Sequence, residues 1–211
     1  MALILLRQID EMTKIAIWKI EESSDELVAQ LQLNESELSL LPKLKKGKRT
    51  LHWLASRALL RHLLQTKAPI YCPSDENGKP YLPDYPYKIS FTHSFDYAGI
   101  MMSKQKECGI DLELIHNKIL RIKEKFMKPS ELQGIDEKNI EQLYACWCAK
   151  EAVYKLQGKK GVSFLNNMSI LPFSYSAQNG SLTLVLHKND TSTPYTVYYE
   201  KFENYMLGYV V

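Results

Sequence analysis

Gly109-Ile110-Asp111-Leu112-Glu113 and Trp147-Cys148-Ala149-Lys150-Glu151-Ala152-Val153-Tyr154-Lys155 are the two stretches on which the reading of this chain turns. The first reads as a strand. Residues two apart on a strand share a side, so Asp111 and Glu113 face one way and Ile110 and Leu112 the other. Two neighbouring carboxylates repel unless something positive lies between them. A hard cation such as Mg²⁺ meets that need, since it takes one or two carboxylates together with phosphate oxygens. A solvated edge strand would carry the same letters. The second stretch reads as a helix on which Glu151 and Lys155 are i, i+4 neighbours. They are either an exposed ion pair worth about 0.3–0.5 kcal/mol, or a third carboxylate acting as ligand or base with a phosphate-binding lysine one turn along.

Around these stretches the pattern is mixed. Ala2–Leu6 and Lys14–Ile20 read as strands. Ser23-x-x-Glu26 is a capping box and Asn34-x-x-Glu37 a second helix start. Leu51, Leu54, Ala55, Ala58, Leu59 and Leu63 predict a helix from Thr50 to Gln65. Asn77-Gly78 marks a turn. Tyr87–Thr92, Tyr97–Met102 and Cys108–Glu113 read as strands, Ile119–Phe126 and Asn139–Gln157 as helices. Asn179-Gly180 then reads as a turn before strands at Ser181–Leu186, Tyr195–Phe202 and Tyr205–Val211. Helices and strands cluster rather than alternate, so the class is α+β, which argues against a Rossmann or TIM-barrel enzyme.

Composition adds boundaries. The 211 residues allow one large domain or two small ones. A hydrophobic fraction of 45% with 24% charged residues is globular. The net charge of +3 gives no argument for nucleic acid. No apolar run reaches the length of a membrane span. The run Ala2–Leu6, ended by Arg7, is too short for a signal-peptide core. Cys72, Cys108, Cys146 and Cys148 contain no C-x-x-C pair, which argues against a disulfide framework or zinc site and makes a reducing cytoplasm the default.

Three further constellations carry chemistry. Ile89-Ser90-Phe91-Thr92-His93-Ser94 is a strand ending in hydroxyls and an imidazole, suited to an anion or simply to local capping. Gly78-Lys79-Pro80 is a turn with a lysine. Lys43, Lys45, Lys46, Lys48 and Arg49, followed by Arg57 and Arg61, form either a solvated helix end or a phosphate-binding rim.

The series Gly78-Lys79-Pro80, Thr92-His93-Ser94, Gly109 to Glu113 and Trp147 to Lys155 resembles the 4′-phosphopantetheinyl transferases, in particular the long monomeric type that activates surfactin synthetase. The resemblance implies a pseudo-dimer of two similar α+β halves, divided at about residues 1–100 and 101–211, with coenzyme A in the cleft between them. It implies Mg²⁺-dependent transfer of 4′-phosphopantetheine from coenzyme A to a serine of an apo acyl or peptidyl carrier protein, with release of adenosine 3′,5′-bisphosphate. The metal set it implies is Asp111, Glu113 and Glu151. The catalytic set is Glu151, Lys155, Asp111 and His93, with Glu151 or a metal-polarised water as base. The coenzyme set is Arg49, Lys79, Thr92, His93 and Lys155; an alignment through Trp53–Arg61 places His52 where Arg49 is otherwise matched, and Lys45, Lys46 and Arg57 are further candidates.

The chain departs from the family pattern at Ser90, where asparagine is usual, and at Thr92, where serine is usual. The expected partner is an acidic carrier, met by Ile115, Ile119, Leu120 and Phe126 among Lys118, Arg121, Lys123 and Lys125, or else that segment is an amphipathic helix covering the core. The expected protein is a cytoplasmic monomer of fatty-acid, polyketide or nonribosomal peptide biosynthesis, without membrane or nucleic-acid partners. A non-catalytic coenzyme A-binding module and a Mg²⁺-dependent phosphate-ester hydrolase are the alternatives.

Overall fold

The structure, a computed structural model, describes residues 2–31, 33–44 and 47–211. Lys45 and Lys46, both candidates above, lie outside the described residues. The chain divides into two compact units. The first holds Met1–Asp75 and Pro80–Lys106, the second Glu76–Lys79 and Glu107–Val211.

In the first unit, β1 (Ala2–Asp10) and β2 (Thr13–Lys19) form a hairpin. The short helices α1 (Ser24–Leu31) and α2 (Glu35–Leu40) follow, then a 3-10 turn at Leu41–Leu44 and the long α3 (Lys48–Leu64). Strands β3 (Lys88–Ser94) and β4 (Tyr97–Ser103) complete an antiparallel sheet of order β1-β2-β4-β3. Both capping boxes form: Glu26 N–H donates to Ser23 Oγ and Ser23 N–H to Glu26, and Asn34 and Glu37 exchange the same pair of bonds. The core gathers Trp18, Leu27, Leu54, Leu59, Ile89 and Ile100 between the sheet and α3.

The second unit opens with β5 (Gly109–Leu114). It continues through α4 (Ile119–Ile122), a 3-10 turn at Lys123–Lys125 and α5 (Pro129–Leu132) to the long α6 (Ile140–Gln157). After α7 (Phe164–Asn167) come β6 (Met168–Ile170), β7 (Asn179–Lys188), β8 (Thr191–Phe202) and β9 (Tyr205–Val210). The sheet is antiparallel, of order β5-β9-β8-β7-β6, and α6 lies across it over Met168, Leu184, Val197 and Met206.

The α+β class holds, with two sheets. The division between the units falls after Lys106, with Glu76–Lys79 joining the second unit. Three details differ from the sequence reading. The helix expected over Ile119–Phe126 is one α-turn followed by 3-10, because Phe126 and Met127 turn into the core, each 1% exposed. Ile119 is buried too, so of that segment Leu120 remains outward among exposed Lys118, Arg121 and Lys125. Asn179-Gly180 is not a turn but the start of β7, with Gly180 paired to Tyr199. The β7–β8 hairpin turns instead at Asn189-Asp190, both left-handed with φ of 47° and 58°, the conformation a tight hairpin requires and these two residue types tolerate.

Candidate active site

In the second unit the first glycine of the strand motif is there for contact. A Cβ on Gly109 would lie 1.9 Å from the Ala152 carbonyl oxygen, and one on Gly208 would lie 2.8 Å from Cys148 Cβ. Gly208 pairs with Asp111 in the β5–β9 ladder. The bare backbone at these two positions lets α6 press against β5 and β9, and this brings Glu151 and Lys155 over the strand face that carries Asp111 and Glu113.

The four charges then interact. Lys155 Nζ donates to Asp111 Oδ1 at 2.7 Å and to the Ile110 carbonyl at 2.9 Å. Asp111 is 5% exposed. Burial, then the Asp111 and Glu113 carboxylates, push Glu151 up to about 7, with Lys155 pulling it back. Glu113 is raised by burial and by Asp111, against the pull of Lys118, a hydrogen bond from Trp147, and Lys155. Three carboxylates thus share a water-poor space with one principal counter-charge.

The first unit holds a different arrangement. On β3, Ile89, Phe91 and His93 share the face toward α3, and His93 emerges at the strand end. His52, in the first turns of α3, stacks on it with ring centroids 4.6 Å apart and planes at 16°. His52 Nε2 lies 2.6 Å from the Phe95 carbonyl; a carbonyl only accepts, so that nitrogen carries the proton. Lys48 Nζ sits 4.5 Å from the centre of the Phe95 ring. Lys48, Arg49, His52, His93, Ser94 and Phe95 line a pocket of about 540 Å³.

Other candidates go elsewhere. Thr92 is on the opposite face of β3, with its methyl where a Cβ on Gly99 would lie. Lys79 donates to Glu107 at 2.5 Å and to the Leu156 carbonyl, at the end of α6, at 2.6 Å. Arg57 lies over the Trp53 and Phe91 rings at 4.7 and 5.4 Å, and burial lowers its pKa. Arg61 is buried against Glu37 at 3.5 Å and the Leu31 carbonyl.

Residues 107–210, the segment that carries all three carboxylates and Lys155, match the model of the 4′-phosphopantetheinyl transferase superfamily. That segment belongs to the superfamily. The longer chain is also similar to named transferases. It is 28% identical over 163 residues to the 4′-phosphopantetheinyl transferase AcpT of Escherichia coli (strain K12), taking in 72% of this chain and 80% of that one. It is 26% identical over 181 residues to AcpT of Salmonella typhi, taking in 81% and 91%.

The Mg²⁺ expected of a phosphopantetheinyl transferase fits the donor set. All three groups are hard oxygen donors, and their mutual repulsion is what a divalent cation relieves. As the side chains stand, no group of three or more His, Cys, Asp or Glu among the described residues is already arranged as a metal cage. Lys155, bonded to Asp111, supplies the counter-charge instead. Sequence reasoning assigned no role to Trp147 or Lys150, although both stand in the quoted helix motif, and set His52 against Arg49 as alternatives. His52 and Arg49 line the same pocket.

Proposed function

We propose that this chain transfers 4′-phosphopantetheine from coenzyme A to a serine of an apo acyl or peptidyl carrier protein, with Mg²⁺, releasing adenosine 3′,5′-bisphosphate. The observation that carries the reading is the convergence of Asp111, Glu113 and Glu151 beside Lys155 within a superfamily domain. The similarity to two 4′-phosphopantetheinyl transferases supports the same transfer. A sheet in each unit supports the type built of two α+β halves.

Transfer moves a phosphoryl centre from the leaving bisphosphate to the serine oxygen, and the serine proton must go to a base. Catalysis of that kind is positioning and charge neutralisation. Asp111, Glu113 and Glu151 would hold Mg²⁺, which when bound neutralises pyrophosphate oxygens. Lys155, held by Asp111, meets negative charge on the leaving group. Glu151, or a water beside it, takes the serine proton. In the first unit, Lys48, Arg49, His52 and His93 offer cationic and N–H donors suited to a phosphate monoester, and the 3′-phosphate of coenzyme A is that group. Thr92 and Lys79 would then act through the shape of β3 and the end of α6 rather than by gripping phosphate. The exposed Lys118, Arg121 and Lys125 around Leu120 suit an acidic carrier surface. No helix among the described residues is long and apolar enough to cross a membrane, and the cytoplasm, where coenzyme A and apo carriers meet, is the proposed site of action.

The test is mass spectrometry of an apo carrier protein incubated with the chain, coenzyme A and MgCl₂. The expected product gains one phosphopantetheine, and Glu151→Ala reduces its formation at least a thousandfold, on the order of removing a principal catalytic group. Coenzyme A binding with no transfer to any carrier would favour a non-catalytic binding module. Phosphopantetheine released without a carrier would favour a hydrolase.

A further inference from the structure

The hairpin between β3 and β4 carries a residue that neither turn chemistry nor burial accounts for. Ser94 pairs with Tyr97, so Phe95-Asp96 is a two-residue loop. The favoured loops of that length need a positive φ at the first central residue. The place goes to Gly, Asn or Asp, because a bulky side chain is strained there. Phe95 occupies it, with φ of 49°. The other left-handed non-glycine residues among the described ones are Gln65, Asn189, Asp190 and Glu203, all of them polar.

Burial offsets little of that strain. Phe95 is 50% exposed, and of the six phenylalanines it is the only exposed one. Two contacts tie it to α3: the His52 Nε2–H donates to its carbonyl at 2.6 Å, and Lys48 Nζ lies 4.5 Å from the centre of its ring. Held there, Phe95 forms one wall of the pocket of about 540 Å³ that Lys48, Arg49, His52, His93 and Ser94 complete. The volume is that of an ordinary small-ligand site. Backbone strain of this kind persists where the surroundings impose it, and it points to use by a ligand.

We propose that the Phe95 ring is the platform on which the purine base of coenzyme A stacks, while Lys48, Arg49 and the two histidines take the neighbouring phosphate. The chemistry of the two partners matches part for part. The pocket joins a flat apolar surface to cationic and N–H donors. A nucleoside phosphate joins a flat π-face to an anion. An aromatic side chain stacks on a base without reading its hydrogen-bonding edge, so the ring needs no polar partner of its own. A glycine at position 95 would suit the turn better and would leave the base nothing to stack on. The inference rests on the reading of this pocket as the site of the coenzyme phosphate.

The experiment is calorimetric titration of the full chain, in chelator, with two ligands: adenosine 3′,5′-bisphosphate and the abasic 1-deoxyribose 3,5-bisphosphate. The melting temperature of each variant is recorded alongside. The parent is expected to bind the adenosine compound about tenfold more tightly than the abasic one, the contribution of one stacked base. Phe95→Gly supplies the residue the turn prefers and deletes the ring. It is expected to melt no lower than the parent, to bind the adenosine compound about tenfold more weakly, and to bind the abasic compound as the parent does. Phe95→Tyr keeps both ring and strain and is expected to bind each ligand as the parent does. A parent that binds the two ligands alike, or a Phe95→Gly chain that keeps the preference for adenosine or melts lower, would overturn the inference alone. A parent that binds neither ligand would overturn the phosphate reading of the pocket and this inference together.

Discussion

The pocket at the head of α3 and the carboxylates beneath α6 are both highly charged, yet the first keeps its charges at the surface and the second draws them inward. Lys48, Arg49 and His93 are exposed. Like charges facing water interact weakly and are screened by salt, so that pocket is stable by itself. Burial disfavours ionisation of Glu113 and Glu151, and the Asp111 carboxylate pushes both further the same way. The difference separates two kinds of recognition. A cationic rim can wait for an anionic ligand at little expense to the fold. A buried cluster of one sign is tolerated only where something of the opposite sign completes it, and Lys155 does so for Asp111 first.

The strongest way to break this comparison is to move α6. Gly109→Ala places a methyl where the Ala152 carbonyl stands, and backbone cannot rotate away. Helix and strand must part, taking Glu151 and Lys155 off Asp111. Because about 1 Å of misplacement can reduce a rate about a hundredfold, carrier labelling is expected to fall by that factor or more, with a lower melting temperature. Binding of adenosine 3′,5′-bisphosphate in chelator reports on the first unit and is expected to persist. Its loss together with transfer would mean that the two sites are not separable.

A smaller effect sharpens the other side. His93→Ala and His52→Ala each remove one ring of the stacked pair. Either is expected to raise the KM for coenzyme A about tenfold while leaving kcat nearly unchanged, the signature of lost uniform binding. With 3′-dephospho-coenzyme A the variants and the parent should have the same KM. An equal loss with both substrates would show that the pair supports the fold and not the 3′-phosphate.

What the sequence disclosed follows the same division. Strand period and helix spacing put Asp111 with Glu113 and Glu151 with Lys155 each on one face; that the two faces meet was implied only by the family resemblance, and the Gly109 and Gly208 contacts are what bring helix and strand together. The first-unit pocket was half legible. Arg49 and His93 were named, but nothing in the letters says that His52 stacks on His93, or that Arg57, a few residues along the same basic run, spends its charge over Trp53 and Phe91. The sense of Lys79 changed for a related reason: the Gly78 turn was read correctly, but the carbonyl it serves belongs to Leu156, far away in sequence. The misplaced turn at Asn179-Gly180 is a case of local chemistry overruled. Ten paired residues fix the β7–β8 register, and the only place left for the reversal is Asn189-Asp190.

The smallest expected effect tests the electrostatic contrast itself. At pH 8 in chelator, Glu151→Gln replaces a carboxylate that the fold resists ionising with a neutral side chain of the same shape. Relief of repulsion with Asp111 and Glu113 should stabilise the folded chain by roughly 1–2 kcal/mol, in the range found when an uncompensated buried charge is removed. Lys155 limits the gain, since it loses part of its own partner set. The matching change in the first unit, Arg49→Gln, removes an exposed cation and should leave the melting temperature within the scatter of surface substitutions, about 0.5 kcal/mol. Added MgCl₂ should then raise the melting temperature of the parent more than that of Glu151→Gln, because only the parent retains the third carboxylate. Equal shifts would place the cation elsewhere. A parent destabilised no further than Glu151→Gln in chelator would mean that Lys155 already satisfies the cluster, and the contrast between the two sites would reduce to one of sign.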